Sequence, residues 1–242
     1  MEVEKRYLNV PVALLKGLVS NPRLNIQCSL AYCIYKSIAI DRIYGSIEEM
    51  EKEYEIDIGG FDLCEKSIGE LGETLYDSLG EREKLYVGIH IDRMVMFSAY
   101  DSDEVERVVF VAYLALKSIL QNQAYKSVSV EYLFSRMDGH SKKVSPPEIS
   151  PEIWKWSSRK RRKNIFDLLE SHYMLIRPYE NTRGIVFSFL SKRLKDGSKM
   201  TREKLELSVQ TKKRNYKMKV IKEEKKKAYD LVKSMLEKNV GS

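Results

Sequence analysis

The chain is expected to be mainly α with small β-hairpins (an α+β protein), built from one helical unit used twice in tandem and followed by a basic C-terminal helix. Apolar residues recur at helical spacing over most of the 242 residues, and short alternating stretches interrupt them at two places. The order of helix, short helix, longer helix and hairpin then occurs in both halves. The divisions expected are 1–100, 101–191 and a tail over 192–242.

In the first half, Asn21-Pro22 suits a helix entry, and Leu30, Ala31, Ile34 and Ile38 share one face of a helix over about 26–40. Ser46-Ile-Glu-Glu49 is a capping-box pattern opening a short helix. Gly59-Gly60 breaks the chain before a third helix over about 61–78, with Leu63, Ile68, Leu71 and Leu75 inward. Val87, Ile89 and Ile91 then alternate with polar residues, and a turn near Asp92-Arg93 followed by Val95 and Phe97 predicts a strand pair.

The second half repeats the order. Asp103-Glu-Val-Glu106 opens a helix whose inward face is Val108, Val111, Ala112, Ala115 and Ile119. A short helix fits 130–137, and the breaker-rich segment 138–147 is expected to be a mobile loop. Ser150-Pro151 supplies an N-cap with proline at the first helical position, predicting a third helix to about His172. Two strands around a turn over 178–184 close the unit, with Ile185, Phe187 and Phe189 inward. In the tail, Ala228, Leu231, Val232 and Met235 make one helical stripe, suited to packing on its own domain, to dimerisation or to an arm that folds on DNA.

The net charge of +7 is unevenly spread. Residues 1–100 hold eleven Lys/Arg against seventeen Asp/Glu, whereas residues 139–242 hold twenty-seven against twelve. A basic C-terminal part meeting a polyanion and an acidic N-terminal part meeting protein, including a second copy, is the division of labour this implies. The cysteines Cys28, Cys33 and Cys64 form no C-x-x-C pair and read as thiols in a reducing compartment. No apolar run approaches the roughly 18 residues of a membrane span, and the first residues lack a signal peptide's apolar core, so a cytoplasmic protein with no membrane partner is expected.

The most informative run is Trp154-Lys-Trp-Ser-Ser-Arg159-Lys-Arg-Arg-Lys163, six cations and two indoles directly before the second hairpin. Cations so crowded repel one another unless solvent or a polyanion neutralises them. Three helices and two strands with the charged third helix beside the hairpin resemble the winged-helix variant of the helix-turn-helix. In that family the third helix enters the major groove and the hairpin, the wing, touches the backbone or minor groove. Two such units with a basic tail are similar to replication initiators of plasmids and mobile elements, and Tyr7-Leu-Asn-Val-Pro11 resembles the strand and turn that open some of them. The resemblance implies contacts to double-stranded DNA from Lys155, Arg159, Lys160, Arg162, Lys163 and Asn164, with Arg177 and Arg183 on the wing. Trp154, where exposed, would stack on an unpaired base of single-stranded DNA at a melted origin. The first unit departs from this pattern, since its third helix carries Asp62, Glu65, Glu70, Glu73 and Asp77 against Lys66.

Catalysis finds little support. His90, His140 and His172 have no spacing suited to a metal, there is no phosphate-binding glycine loop, and there is no nucleophile elbow. Gly88-Ile-His90-Ile-Asp92 supplies one of the two histidines that rolling-circle nicking enzymes carry. The carboxylates over 48–55 point around a short helix rather than converging. A non-enzymatic DNA-binding protein without cofactor or metal is therefore expected, in replication or, alternatively, in transcription control. A protein-interaction adaptor or RNA-binding protein is the reading from another class.

Overall fold

The structure, a computed structural model, describes residues 7–79, 85–99, 102–178, 185–194 and 196–240; for 98, 99, 228, 229 and 231–240 it describes the backbone alone. Helices dominate, with two small antiparallel sheets.

The first half begins with strand β1 (Tyr7–Pro11) and a short helix α1 (Gly17–Ser20). Helix α2 (Pro22–Tyr35) starts where Asn21 accepts from the Leu24 N–H and Pro22 occupies the first turn, and a π-helical turn (Lys36–Ile40) extends it. Helix α3 (Ile47–Tyr54) is capped by the Ser46 hydroxyl, which accepts from the Glu49 N–H, while the Glu49 carboxylate accepts from the N–H of Gly45 rather than from that of Ser46 as in a capping box. Helix α4 (Glu65–Leu79) packs on α2 at Gly72, where a Cβ would stand 2.4 Å from that of Tyr35. Strand β2 (Tyr86–His90) pairs antiparallel with β1, Leu8 opposite Ile89 and Val10 opposite Val87, and helix α5 (Ile91–Ala99) follows at once.

That helix overturns the first expected hairpin. Ile91, Met94 and Phe97 are buried at a spacing of three while Val95 and Met96 are exposed, a helical face where alternation had been read. The partner of β2 is the far N-terminal strand, so pairing is satisfied non-locally. Among the described residues the first half is thus helical units closed by a two-stranded sheet, and the hairpin expected over 85–97 is not formed.

In the second half, helix α6 (Glu104–Leu120) starts at Asp103, which accepts from the Glu106 N–H at 2.7 Å. Strand β3 (Lys126–Val128), absent from the expectations, precedes helix α7 (Val130–Met137), capped by Ser129. Segment 138–147 is tied down rather than free. Asp138, nearly fully buried, accepts from the Ser150 N–H and hydroxyl, and buried Arg136 donates to the Ser141 carbonyl. The expected single third helix is two: α8 (Pro151–Trp154) and α9 (Arg159–Tyr173), separated by 155–158. Strands β4 (Leu175–Ile176) and β5 (Ile185–Phe189) follow, giving a three-stranded sheet of order β3-β5-β4. Helix α10 (Arg202–Val240) runs for 39 residues.

Helix α6 explains how the halves join. Eleven of its seventeen residues are buried, on nearly every side, as expected for a helix inside a core. It packs on α1 and β2 of the first half and on α7 and α9 of the second, so one apolar core runs through both. Polar links cross the same junction: the Arg107 Nε–H donates to the Val19 carbonyl, Lys117 to the Gly88 carbonyl, and Lys16 faces Asp138 at 3.7 Å. Among the described residues no helix is long and apolar enough to cross a membrane.

Candidate nucleic-acid interface

Helix α9 is held by Ile165, Phe166 and Leu169, all buried, on the core formed with α6 and β4. At 100° per residue this inward side leaves Lys160, Lys163 and Asn164 facing outward, with Arg159 at the edge. These four are exposed and hold no side-chain hydrogen bond or ion pair among the described residues. Ser158 at the N-cap makes no side-chain cap bond, and the first turn contains no acidic residue. Three free cations thus sit at the positive end of a helix dipole, beside N–H groups without intrahelical acceptors. That arrangement works against folding and favours an anion.

Other basic residues of the run serve the structure. The Arg162 guanidinium, half-buried, donates to the Ser157 carbonyl at 2.9 Å, and Arg161 donates to the Lys155 carbonyl and lies 5.4 Å from the centre of the Trp156 ring. Together they satisfy carbonyls left open where the chain breaks between α8 and α9. Lys155 pairs with Glu104 at 2.5 Å, at the start of α6. The sequence reading gave Arg162 and Lys155 to the groove; helix phase and the Ser157 carbonyl turn Arg162 toward the protein, whereas Lys155 is exposed and engaged by Glu104.

Arg177 is also engaged. It donates to Glu170 at 2.6 Å and to Asp167 at 3.3 Å, with its guanidinium over the Phe166 ring, and so fastens the start of the hairpin to α9. Arg183 and the turn over 179–184 lie outside the described residues. Trp156 is buried, and Trp154 stands edge-to-face on Phe134 at 5.9 Å, so the expected exposed stacking ring is a half-buried packing group.

Helix α10 contributes a second basic surface. Met200 and Leu205 are buried against Ile176 and Val186, and the Tyr125 hydroxyl donates to the Ser208 carbonyl. Beyond this anchor, residues 210–227 are exposed apart from Val220, and they hold nine Lys/Arg against two Glu. The side chains of Ala228, Leu231, Val232 and Met235 lie outside those described. The first half presents the opposite sign, with Glu65, Glu70, Glu73 and Asp77 exposed on α4. No group of three or more His, Cys, Asp or Glu among the described residues is arranged to hold a metal ion.

No family model, curated protein or solved structure matches the chain.

Proposed function

We propose that this protein binds double-stranded DNA without catalysing a reaction on it, through a winged helix formed within residues 101–191. The observation that carries the reading is the exposed start of α9, where Arg159, Lys160, Lys163 and Asn164 have no hydrogen-bond or ion-pair partner among the described residues. The succession of α6, α7 and α9, closed by the strand pair β4–β5, supports the assignment. In this reading the three cations neutralise phosphates and reach base edges, Asn164 reads adenine, and α10 adds contacts to the backbone. The acidic first half is assigned to protein contact, including a second copy. Replication initiation or maintenance of a mobile element rests on the likeness to two-unit initiators. Transcription control fits the same surface equally well.

Salt tests the electrostatic part. Neutralising three phosphates with α9 alone gives a loss of about 40-fold in affinity for duplex DNA between 50 and 200 mM salt, and contacts from α10 steepen it. A titration of labelled duplex over that range measures the slope. An affinity that does not respond to salt removes the proposal.

A further inference from the structure

A cavity of about 390 Å³ lies where the halves meet, between β1, β2 and α5 on one side and α6 and the end of α9 on the other. Its size falls within the roughly 300–1,000 Å³ of small-molecule sites. Lys117 is its most unusual wall. The ammonium donates to the Gly88 carbonyl at 2.8 Å and lies 4.6 Å from the centre of the Tyr7 ring, and no carboxylate among the described residues pairs with it. Partial burial, and after it the charge of Lys192, hold its pKa below the ordinary lysine value. A half-buried cation with a second cation nearby and no counter-ion among the described residues is a ready site for an anion.

The surroundings narrow the anion. Arg93 is exposed at the rim, 5.9 Å from the centre of the Tyr173 ring, and His90 and His172 also line the space. The acidic group on the wall, Asp92, already faces His90 at 3.4 Å. Tyr7, 40% exposed, offers an aromatic surface with Lys117 over its ring and His90 edge-on at 5.0 Å. A ligand that joins a phosphate to a flat aromatic ring satisfies both.

We propose that this cavity binds one nucleotide unit, its phosphate held by Lys117 and Arg93 and its base resting against Tyr7. The unit comes either as a free nucleotide or as an unpaired nucleotide of a strand. The site does not rest on the duplex-binding reading, because it lies at the opposite end of α9 from the free cations.

Calorimetric titration of the full chain with dAMP, adenosine, inorganic phosphate and a short single-stranded oligonucleotide tests it. Saturable binding of dAMP, with adenosine and phosphate each about tenfold weaker or more, assigns a free nucleotide. Binding of the oligonucleotide alone assigns a strand. In either case Lys117→Met and Arg93→Gln each weaken binding by about ten- to a hundredfold, as expected for a lost charge-assisted hydrogen bond. Lys117→Arg retains it, and replacing Arg159, Lys160 and Lys163 by alanine leaves the binding of dAMP unchanged. Arg93 is exposed, so its variant keeps the test valid should Lys117→Met fail to fold. Failure of both ligands to bind overturns the proposal, and so does binding that survives Arg93→Gln undiminished.

Discussion

At the scale of single residues, the basic run separates into side chains that hold the protein and side chains that face away from it. Alanine at Arg159, Lys160 and Lys163 together is expected to leave melting unchanged or raise it slightly, because cations at a helix N-terminus are each worth about 0.3–1 kcal/mol in the unfavourable direction. Specific duplex binding should weaken by about 100-fold or more, since one lost bidentate arginine contact costs about 1–3 kcal/mol. Arg162→Ala should behave in the opposite way. Its hydrogen bond to the Ser157 carbonyl is lost, stability falls by about 1 kcal/mol, and the salt slope of binding stays the same. Melting and DNA titration on the same preparations distinguish the two, and equal binding by the triple variant and the native chain would refute the α9 assignment. The cysteines give an independent check on the fold. Hydrogen bonding from Ser67 holds the exposed Cys64 thiol below its ordinary pKa, whereas burial raises Cys28 and pushes Cys33 up to about 12. Brief alkylation at neutral pH followed by peptide mass spectrometry should therefore modify Cys64 first and Cys33 last, because the thiolate is the reacting form.

At the scale of elements, most caps were legible in the sequence and pairings were not. Asn21, Ser46 and Asp103 each accept a backbone N–H at the start of a helix, local chemistry that a few adjacent residues determine, whereas Ser150 makes no cap bond and its hydroxyl donates to Asp138. The pairing of β2 depends on β1, some eighty residues away, and nothing in 85–97 discloses that partner. A short apolar run there fits two periods equally, and tertiary packing chose the helical one. The direction of Arg162 was missed for a related reason. Arg162 precedes Ile165 and Leu169 by three and seven residues and so shares their buried side, a phase obscured when 151–172 is taken as one helix although the chain breaks at 155–158. Helix α10 was foreseen as basic and helical, while its anchoring by Leu205 was not. Ending the chain after Lys212 keeps that anchor, so the melting temperature should hardly move while the affinity for duplex DNA and its salt slope both fall. A truncated chain with the native slope would show that α10 lies away from the DNA.

At the scale of the whole molecule, the expected division near residue 100 meets a core that does not divide there. Helix α6 belongs by sequence to the second half, yet it buries one side on α1 and β2 of the first, and its Arg107 and Lys117 side chains bond to backbone carbonyls across the junction. Separating the halves would expose that apolar surface and leave both cations without their acceptors, so the two should unfold together. Two probes report on the halves separately. Both indoles, Trp154 and Trp156, lie in the second half, whereas the buried thiol of Cys33 lies in the first. In a urea titration, tryptophan fluorescence and pulse alkylation of Cys33 should give the same midpoint. Gly72→Ala sharpens the test, because its methyl group would meet the Tyr35 side chain and the Ala31 carbonyl between α2 and α4. Overpacking of this kind costs about 1–3 kcal/mol. If the core is one cooperative body, a substitution confined to the first half lowers the fluorescence midpoint of the second by the same amount as the Cys33 midpoint. A shift seen by Cys33 alone would mean that the halves fold independently and that α6 couples them only weakly.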